Sequence, residues 1–127
     1  MKLIKLDLDF SICKVKDISL IDFTREFVFL SKTDDEISLV CETNPVPENA
    51  TEINDNWKAL KIYGVLDFSL TGIIADISNI LALAGIGIFV ISTFNTDYIL
   101  LKKDQIEKAI VELEKRGYES FGGEKNE

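Results

Sequence analysis

Apolar and polar positions alternate most clearly in the second half of the chain. Residues 57–66 place apolar side chains at alternating positions, which is typical of a half-buried strand. Across residues 70–84 the apolar side chains instead recur every three or four positions, and this spacing predicts one apolar stripe on a helix. We expect Ser69 to cap the start of that helix and Gly85 to end it.

The rest of the second half predicts two more strands, a second helix and a short last strand. Residues 86–94 are rich in β-branched and aromatic side chains, and residues 98–101 form an apolar run that can return as a paired strand. A capping box that starts at Asp104 begins a second helical stripe, which Gly117 ends. Residues 118–121 can supply one further strand. The order β-α-β-β-α-β is that of the ferredoxin-like fold, an α+β arrangement in which an antiparallel sheet carries both helices on one face.

The first part of the chain predicts short strands and little helix. Residues 4–10 alternate apolar and charged side chains, as a strand with one wet face does. Further strand candidates lie at residues 12–15, 27–30 and 37–41. Only a short helical piece fits, around residues 19–23, and residues 44–56 are rich in Pro, Asn and Glu, which is typical of a linker. We therefore expect a strand-rich half with its linker at residues 1–56 and a complete βαββαβ domain at residues 57–127.

Composition and charge restrict the possible functions. The 127 residues include 14 Lys and Arg against 22 Asp and Glu, a net charge of −8 with no histidine. Nucleic acid and anionic membrane surfaces are therefore disfavoured as partners, because both are bound through clustered cations. The absence of histidine excludes a Ser-His-Asp triad, a Cys-His dyad and any His-ligated metal.

The sequence shows neither the apolar region of a signal peptide nor an apolar segment long enough to span a membrane. Charges interrupt the apolar residues of the first segment, and the weakly polar stretch at residues 80–91 is too short to span a bilayer. We therefore expect a cytoplasmic protein. In that compartment Cys13 and Cys41 are expected to be reduced thiols rather than a redox pair or a metal site, since no Cys-x-x-Cys motif is present.

A first candidate for chemistry is the junction between the strand at 57–66 and the helix that follows. It consists of Asp67, Phe68, Ser69, Leu70, Thr71 and Gly72. The N-terminus of a helix offers unpaired N–H groups and a positive dipole end, which suits a carboxylate. Ser69 and Thr71 can add hydroxyl contacts, and Gly72 allows a ligand close to the backbone. From the local sequence alone, capping by Ser69 and packing by Gly72 are the better explanation, because capping residues occur at almost every helix start.

A second candidate is the polar run at the end of the next strand. It consists of Ser92, Thr93, Phe94, Asn95, Thr96 and Asp97. A polar hairpin turn explains the last three of these residues well but the first two less well.

These two stretches resemble a known family. Residues 66–74, followed by residues 84–86 and 91–98, are similar to the small bacterial ACT-domain proteins. Those proteins resemble the regulatory tail of aspartate kinases and the amino-acid-sensing ACT tandems of animal cells. The resemblance covers most of residues 57–121, and in the first half the segments 13–15, 27–33 and 36–41 follow the order of the family.

The resemblance implies a regulatory, allosteric protein rather than an enzyme. It implies two ACT modules packed side by side, the first of them smaller and rich in strands, with a free amino acid bound at module interfaces. It implies no catalytic residues, no cofactor and no metal. Its ligand groups would be the strand-to-helix loop from Asp67 to Ile73 and the end of the following strand from Ser92 to Asp97. The alternative is a module of the same fold that has lost its ligand and serves in dimerisation or protein interaction.

The charges around the candidate site indicate the ligand class. No Lys or Arg lies between Lys61 and Lys102, so a second ligand carboxylate would lack a nearby cation, whereas Asp67 and Asp97 could hold a positive group. We therefore expect a neutral or basic amino acid in preference to aspartate or glutamate. Because an antiparallel sheet leaves strand edges that need covering, we also expect a homodimer.

Overall fold

A computed structural model describes residues 1–64 and 72–122 of the chain. The described residues form eight strands, two α-helices and one 3₁₀ turn. These are β1 Lys2–Lys5, β2 Phe10–Val15, β3 Val28–Lys32, β4 Ile37–Glu42, β5 Ala50–Ile62, α1 Ile73–Leu83, β6 Phe89–Ser92, β7 Asp97–Lys102, the 3₁₀ turn Lys103–Gln105, α2 Ile106–Glu114 and β8 Glu119–Phe121. They belong to two compact units, one made of Met1–Leu8 and Lys58–Glu127 and the other of Asp9–Trp57. The expected α+β, ferredoxin-like fold is confirmed.

The larger unit contains the β-α-β-β-α-β order together with one additional strand. Its strands are arranged β6-β7-β5-β1-β8, so that β1 lies between the first and last strands of the expected order. We expected these first residues to belong to the strand-rich half of the chain, because an alternating pattern does not tell which sheet a strand joins. Strand β1 runs antiparallel to β5 and parallel to β8. We expected a fully antiparallel sheet, and the parallel pairing of β1 with β8 shows that this expectation is wrong.

The core of this unit lies between the strands and both helices. Buried residues of α1 and α2 form one cluster with residues at alternating positions of the strands: Leu3, Leu60, Ile62, Ile77, Ile80, Leu81, Ile99, Leu101, Ile106, Ala109 and Leu113. The apolar faces of the two helices and of the strands thus meet in one cluster, and this packing holds the helices against the sheet.

Both helices end as the sequence predicts, but α2 begins differently. Gly85 and Gly117 follow α1 and α2 with positive φ angles of 78° and 95°, a conformation in which glycine is favoured after a helix. Helix α1 begins after Gly72, and Ser69, which we expected to cap it, lies outside the described residues. The capping box predicted at Asp104 is wrong, since that residue lies in the 3₁₀ turn before α2. Neither described helix is long and apolar enough to cross a membrane.

The smaller unit is built from strands in the order β3-β4-β2-β5. The short helix expected around residues 19–23 is absent from this described segment, which forms turns. Asp17 accepts a hydrogen bond from the backbone N–H of Ser19 at 2.9 Å, and Asp22 accepts one from that of Thr24 at 3.0 Å. Such local side-chain bonds to the backbone compete with helix formation, which explains the error.

Strand β5 includes most of the segment that we expected to be a linker. We expected a linker at residues 44–56, yet residues 50–56 belong to the 13-residue strand β5. They pair with β2, for example Ile53 with Cys13. Residues 51–56 are all exposed, so polar side chains occupy both faces and hide the alternation. The backbone pairing, which sequence periodicity does not report, holds this segment extended.

Candidate functional site

The polar run at residues 92–97 is the turn of a β-hairpin. Strand β6 ends at Ser92 and β7 begins at Asp97, and these two residues face each other in the register. The backbone N–H of Thr93 donates to the carbonyl of Thr96 at 2.8 Å. Phe94 and Asn95 therefore occupy the exposed tip, where the Phe94 ring is 81% exposed.

Side-chain hydrogen bonds close this hairpin on itself. The hydroxyl of Ser92 donates to Asp97 Oδ1 at 2.5 Å, and the hydroxyl of Thr93 donates to the carbonyl of Thr96 at 3.0 Å. The Thr93 hydroxyl in turn accepts from the Thr96 N–H at 3.3 Å. The first two polar residues, which a hairpin turn explained poorly from sequence alone, thus have clear partners within the turn.

Thr96 joins the hairpin to the strand that precedes the other candidate segment. Its side chain is buried, and its hydroxyl donates to the carbonyl of Ile62 at 2.9 Å. Ile62 is the last residue of β5 and lies ten positions before Gly72. The structure therefore brings the hairpin turn to the end of β5, a contact between residues 34 positions apart that no local pattern in the sequence indicates.

The other candidate segment is described only at its end. Asp67, Phe68, Ser69, Leu70 and Thr71 lie outside the described residues. Gly72 adopts a left-handed conformation, with φ of 83°, and its carbonyl accepts the first helical hydrogen bond from the N–H of Asp76 at 2.8 Å. No side-chain oxygen at Gly72 caps α1, and Ile73 packs partly buried against the core. Within the described residues no side chain caps the start of α1, so its first N–H groups could donate hydrogen bonds to a carboxylate.

The first turn of α1 also contains a carboxylate with a defined partner. Asp76 accepts a hydrogen bond from the hydroxyl of Tyr118 at 2.5 Å. Burial, followed by this hydrogen bond and the negative charge of Asp76, raises the pKa of Tyr118 to about 12. In the part of the chain that the structure describes, no group of three or more Cys, Asp or Glu side chains is arranged to hold a metal ion.

Comparison with known protein families and structures gives a consistent result. The family described as ACT domain matches residues 52–115. No curated protein matches the chain.

Three solved structures are similar to the chain over most of its length. A protein from Agobacterium tumefaciens is 29% identical, with a TM-score of 0.84, and the match covers 99% of this chain and 96% of that one. The regulatory subunit of aspartate kinase from Thermus thermophilus, in its ligand-free form, is 12% identical with a TM-score of 0.58, covering 88% and 95%. Aspartate kinase from Clostridium acetobutylicum, described as an allosteric enzyme, is 15% identical with a TM-score of 0.63, covering 84% of this chain and 32% of the enzyme.

Proposed function

The chain belongs to the ACT domain family, and on that basis we propose that it is a regulatory module that binds a free amino acid and performs no catalysis itself. The ligand lies between the start of α1 and the hairpin turn at residues 92–97. The observation that carries this proposal is the hydrogen bond from Thr96 to the Ile62 carbonyl, because it fixes the polar turn at the end of the strand that leads towards α1.

The ligand has one acidic group and a neutral or positive remainder. Its carboxylate accepts hydrogen bonds from the N–H groups that follow Gly72, and Asp97 attracts its ammonium group. Asp97 is half-buried and has one carboxylate oxygen bonded to Ser92, which leaves its second oxygen for a ligand. Because no Lys or Arg lies between Lys61 and Lys102, aspartate and glutamate bind more weakly than neutral or basic amino acids.

A thermal-shift screen of the purified protein against the free amino acids tests this function. A ligand present at 100 times its Kd should add about 2.7 kcal/mol to the free energy of unfolding and so raise the melting temperature. Calorimetry on each hit then gives the affinity. A screen in which no amino acid raises the melting temperature, or in which glutamate binds most tightly, contradicts the proposal.

The second candidate is a module of the same fold that binds no ligand and serves in dimerisation or protein interaction. The observation in its favour is that Ser92, Thr93 and Thr96 already have hydrogen-bond partners within the protein. A negative amino-acid screen, combined with a stable dimer in solution, would favour this candidate.

We also propose that the protein forms a homodimer through strand β6. Among the described strands, β3, β6 and β8 each have one neighbour only and are therefore edges. Strand β3 ends in an exposed lysine and β8 is only three residues long and begins with an exposed glutamate, features that discourage edge pairing. Strand β6 has the sequence Phe-Val-Ile-Ser without a charge, and its three apolar residues are only half-buried.

A further inference from the structure

The two cysteines of the chain lie far apart in the sequence but are neighbours in the smaller unit, Asp9–Trp57. In the antiparallel register of β2 and β4, Ser11 faces Cys41 and Cys13 faces Leu39. Residues that face each other project to the same side of a sheet, and so do residues two positions apart on one strand. Cys13 and Cys41 are therefore diagonal neighbours on one face. Both are free thiols, and the thiol of Cys13 donates a hydrogen bond to the sulfur of Cys41.

The two cysteines differ in their access to solvent. Cys13 is 3% exposed, whereas Cys41 is half-buried and lines a pocket of about 420 Å³, a volume that includes the solvent in its mouth. Ile21 and Val46, from the segments before β3 and before β5, lie on other sides of this pocket. A small reagent that enters the pocket therefore meets Cys41 before Cys13.

The charges of the pocket affect both the thiol and the reagents that can reach it. Three charged side chains contribute to the lining, the carboxylates of Asp22 and Glu42 and the guanidinium of Arg25. Because two are negative and one is positive, the pocket disfavours an anionic reagent. The hydrogen bond from Cys13 and the positive charge of Arg25 lower the pKa of Cys41, and burial and the charge of Glu42 oppose this shift less strongly. Cys41 therefore carries more of the reactive thiolate than an ordinary thiol does.

From this arrangement we propose that Cys41 is a site of oxidation by hydrogen peroxide, a small neutral hydroperoxide, and that Cys13 captures the oxidised sulfur in a disulfide within the chain. Hydrogen peroxide suits both the size and the charge of the pocket, whereas a bulky anionic oxidant such as glutathione disulfide suits neither. This site shares no residue with the hairpin and α1 site, and the inference does not depend on the proposed function.

The reaction has two steps. The Cys41 thiolate attacks one oxygen of hydrogen peroxide, so that an S–O bond forms, the O–O bond breaks, and the hydroxide that leaves takes a proton from solvent to become water. The sulfur of Cys41 is oxidised to a sulfenic acid and the peroxide is reduced. The sulfur of Cys13 then attacks that of Cys41, so that the S–S bond forms and the S–O bond breaks. The second hydroxide leaves as water with the proton of the Cys13 thiol.

The surroundings of Cys13 set the order of these steps. In the reduced protein the hydrogen bond to Cys41, burial, and the negative charges of Cys41 and Asp55 all raise the pKa of Cys13. Oxidation of Cys41 removes its thiolate, and with it both the hydrogen bond and the charge that oppose the loss of the Cys13 proton. Cys13 therefore becomes a better nucleophile only after Cys41 has reacted.

Disulfide formation requires a small adjustment of the two strands. Diagonal neighbours of an antiparallel pair are separated by about 7–8 Å at Cα, with their Cβ atoms closer. A disulfide usually spans about 4.4–6.8 Å at Cα, so rotation of both side chains and a shift of roughly 1 Å between β2 and β4 close the bond. A dithiol should reduce this bond again, which makes the modification reversible.

The test treats the full, reduced chain with hydrogen peroxide, alkylates the remaining thiols with iodoacetamide in denaturant, and measures the intact mass. The wild type should lose about 2 Da, take up no iodoacetamide, and regain both thiols after treatment with dithiothreitol. Because the bond forms within one chain, its rate should not depend on protein concentration. Glutathione disulfide at the same concentration should oxidise the protein at least about tenfold more slowly.

Two variants separate the roles of the cysteines. In Cys13→Ser the hydroxyl can still donate to Cys41, but no thiol captures the product, so dimedone should trap the sulfenic acid in at least about fivefold higher yield than in the wild type. Cys41→Ser keeps only the buried thiol and should oxidise at least about tenfold more slowly than the wild type. Circular dichroism checks that both variants fold, and Cys13→Ala replaces Cys13→Ser if the latter does not.

Three outcomes would overturn the inference. They are a wild-type protein whose oxidised products only gain oxygen and never lose about 2 Da, a disulfide that forms between two chains instead of within one, and a Cys41→Ser protein that oxidises at Cys13 as fast as the wild type does.

Discussion

The hydroxyl of Tyr118 donates a 2.5 Å hydrogen bond to the carboxylate of Asp76. This contact joins the first turn of α1 to the segment between α2 and β8. Tyr118 is only 9% exposed and belongs to the same apolar cluster as the buried residues of both helices. The contact therefore positions the start of α1, where the proposed site lies, relative to the second helix.

Replacing Tyr118 by Phe should destabilise the protein in a pH-dependent way. At neutral pH the loss of the hydrogen bond to Asp76 should lower the free energy of unfolding by about 1–2 kcal/mol. The pKa of Tyr118 is about 12 in the folded protein, above the value of about 10 expected in the unfolded chain. The stabilisation is therefore fully present below pH 10 and is lost as the pH rises through about 12.

Chemical denaturation of both proteins between pH 7 and pH 12 measures this effect. Other groups also titrate in this range, so the relevant quantity is the difference between the wild type and Tyr118→Phe, which should shrink above about pH 10. Tyr63→Phe alters an exposed tyrosine of the same unit and should change the free energy of unfolding by less than about 0.5 kcal/mol. If the difference in free energy of unfolding between the two proteins stayed constant with pH, the hydrogen bond to Asp76 would not raise the pKa of Tyr118.

Replacing Thr96 by Val should release the hairpin from β5. Valine has almost the same shape, so the main loss is the buried hydrogen bond to the Ile62 carbonyl, which should cost about 1–3 kcal/mol. Thr51→Val is the matched control, because its hydroxyl donates to the carbonyl of Lys14 at 3.4 Å from an exposed position. Hydrogen exchange should report faster opening of the hairpin in Thr96→Val only. If the two variants lost the same stability and showed the same hydrogen exchange, the Thr96 hydrogen bond would not be what holds the hairpin to β5.

Much of the fold can be predicted from the sequence because its signals are local. The alternation in residues 57–66 and the three- and four-residue spacing in residues 70–84 reflect burial on one face of a strand and of a helix. Gly85 and Gly117 end the helices because a residue in the left-handed conformation is required there. Each of these features depends on the residues immediately around it.

The errors occur where distant backbone contacts or competing local bonds decide the structure. Strand β1 joins the larger unit through pairing with β5 and β8, which no property of residues 2–5 specifies. Turns at Asp17 and Asp22 replace a predicted helix because their carboxylates bind nearby backbone N–H groups. The candidate site follows the same division. The polar hairpin can be read from its residues, but the contact of Thr96 with Ile62 can be found only in three dimensions.

Replacing Asp97 by Asn tests the ligand site directly. If the carboxylate binds the ammonium group of an amino acid, the variant should weaken binding by about 1.5–3 kcal/mol. The amide oxygen of Asn can still accept the hydrogen bond from Ser92, so the melting temperature of the ligand-free protein should change little. Asp104→Asn removes an exposed acid outside the site and should bind normally. Calorimetry compares the three proteins, and unchanged affinity in Asp97→Asn would remove this residue from the site.

Replacing Ile91 by Lys should separate the proposed homodimer. Ile91 lies in β6, an uncharged edge strand whose apolar side chains are half-buried in the single chain. A dimer formed edge to edge would bury these side chains further and pair the open backbone groups of β6, and a lysine would oppose both because its charge favours water. Leu30→Lys places the same charge on the edge strand β3, where Lys32 already stands, and should leave the dimer intact. Light scattering measures the mass of each protein at a concentration of tens of micromolar. At this concentration a dimer with a Kd of about 1 μM is mostly formed. A wild-type protein that is monomeric at this concentration, or a dimer lost only in Leu30→Lys, would contradict the assignment of β6 as the interface.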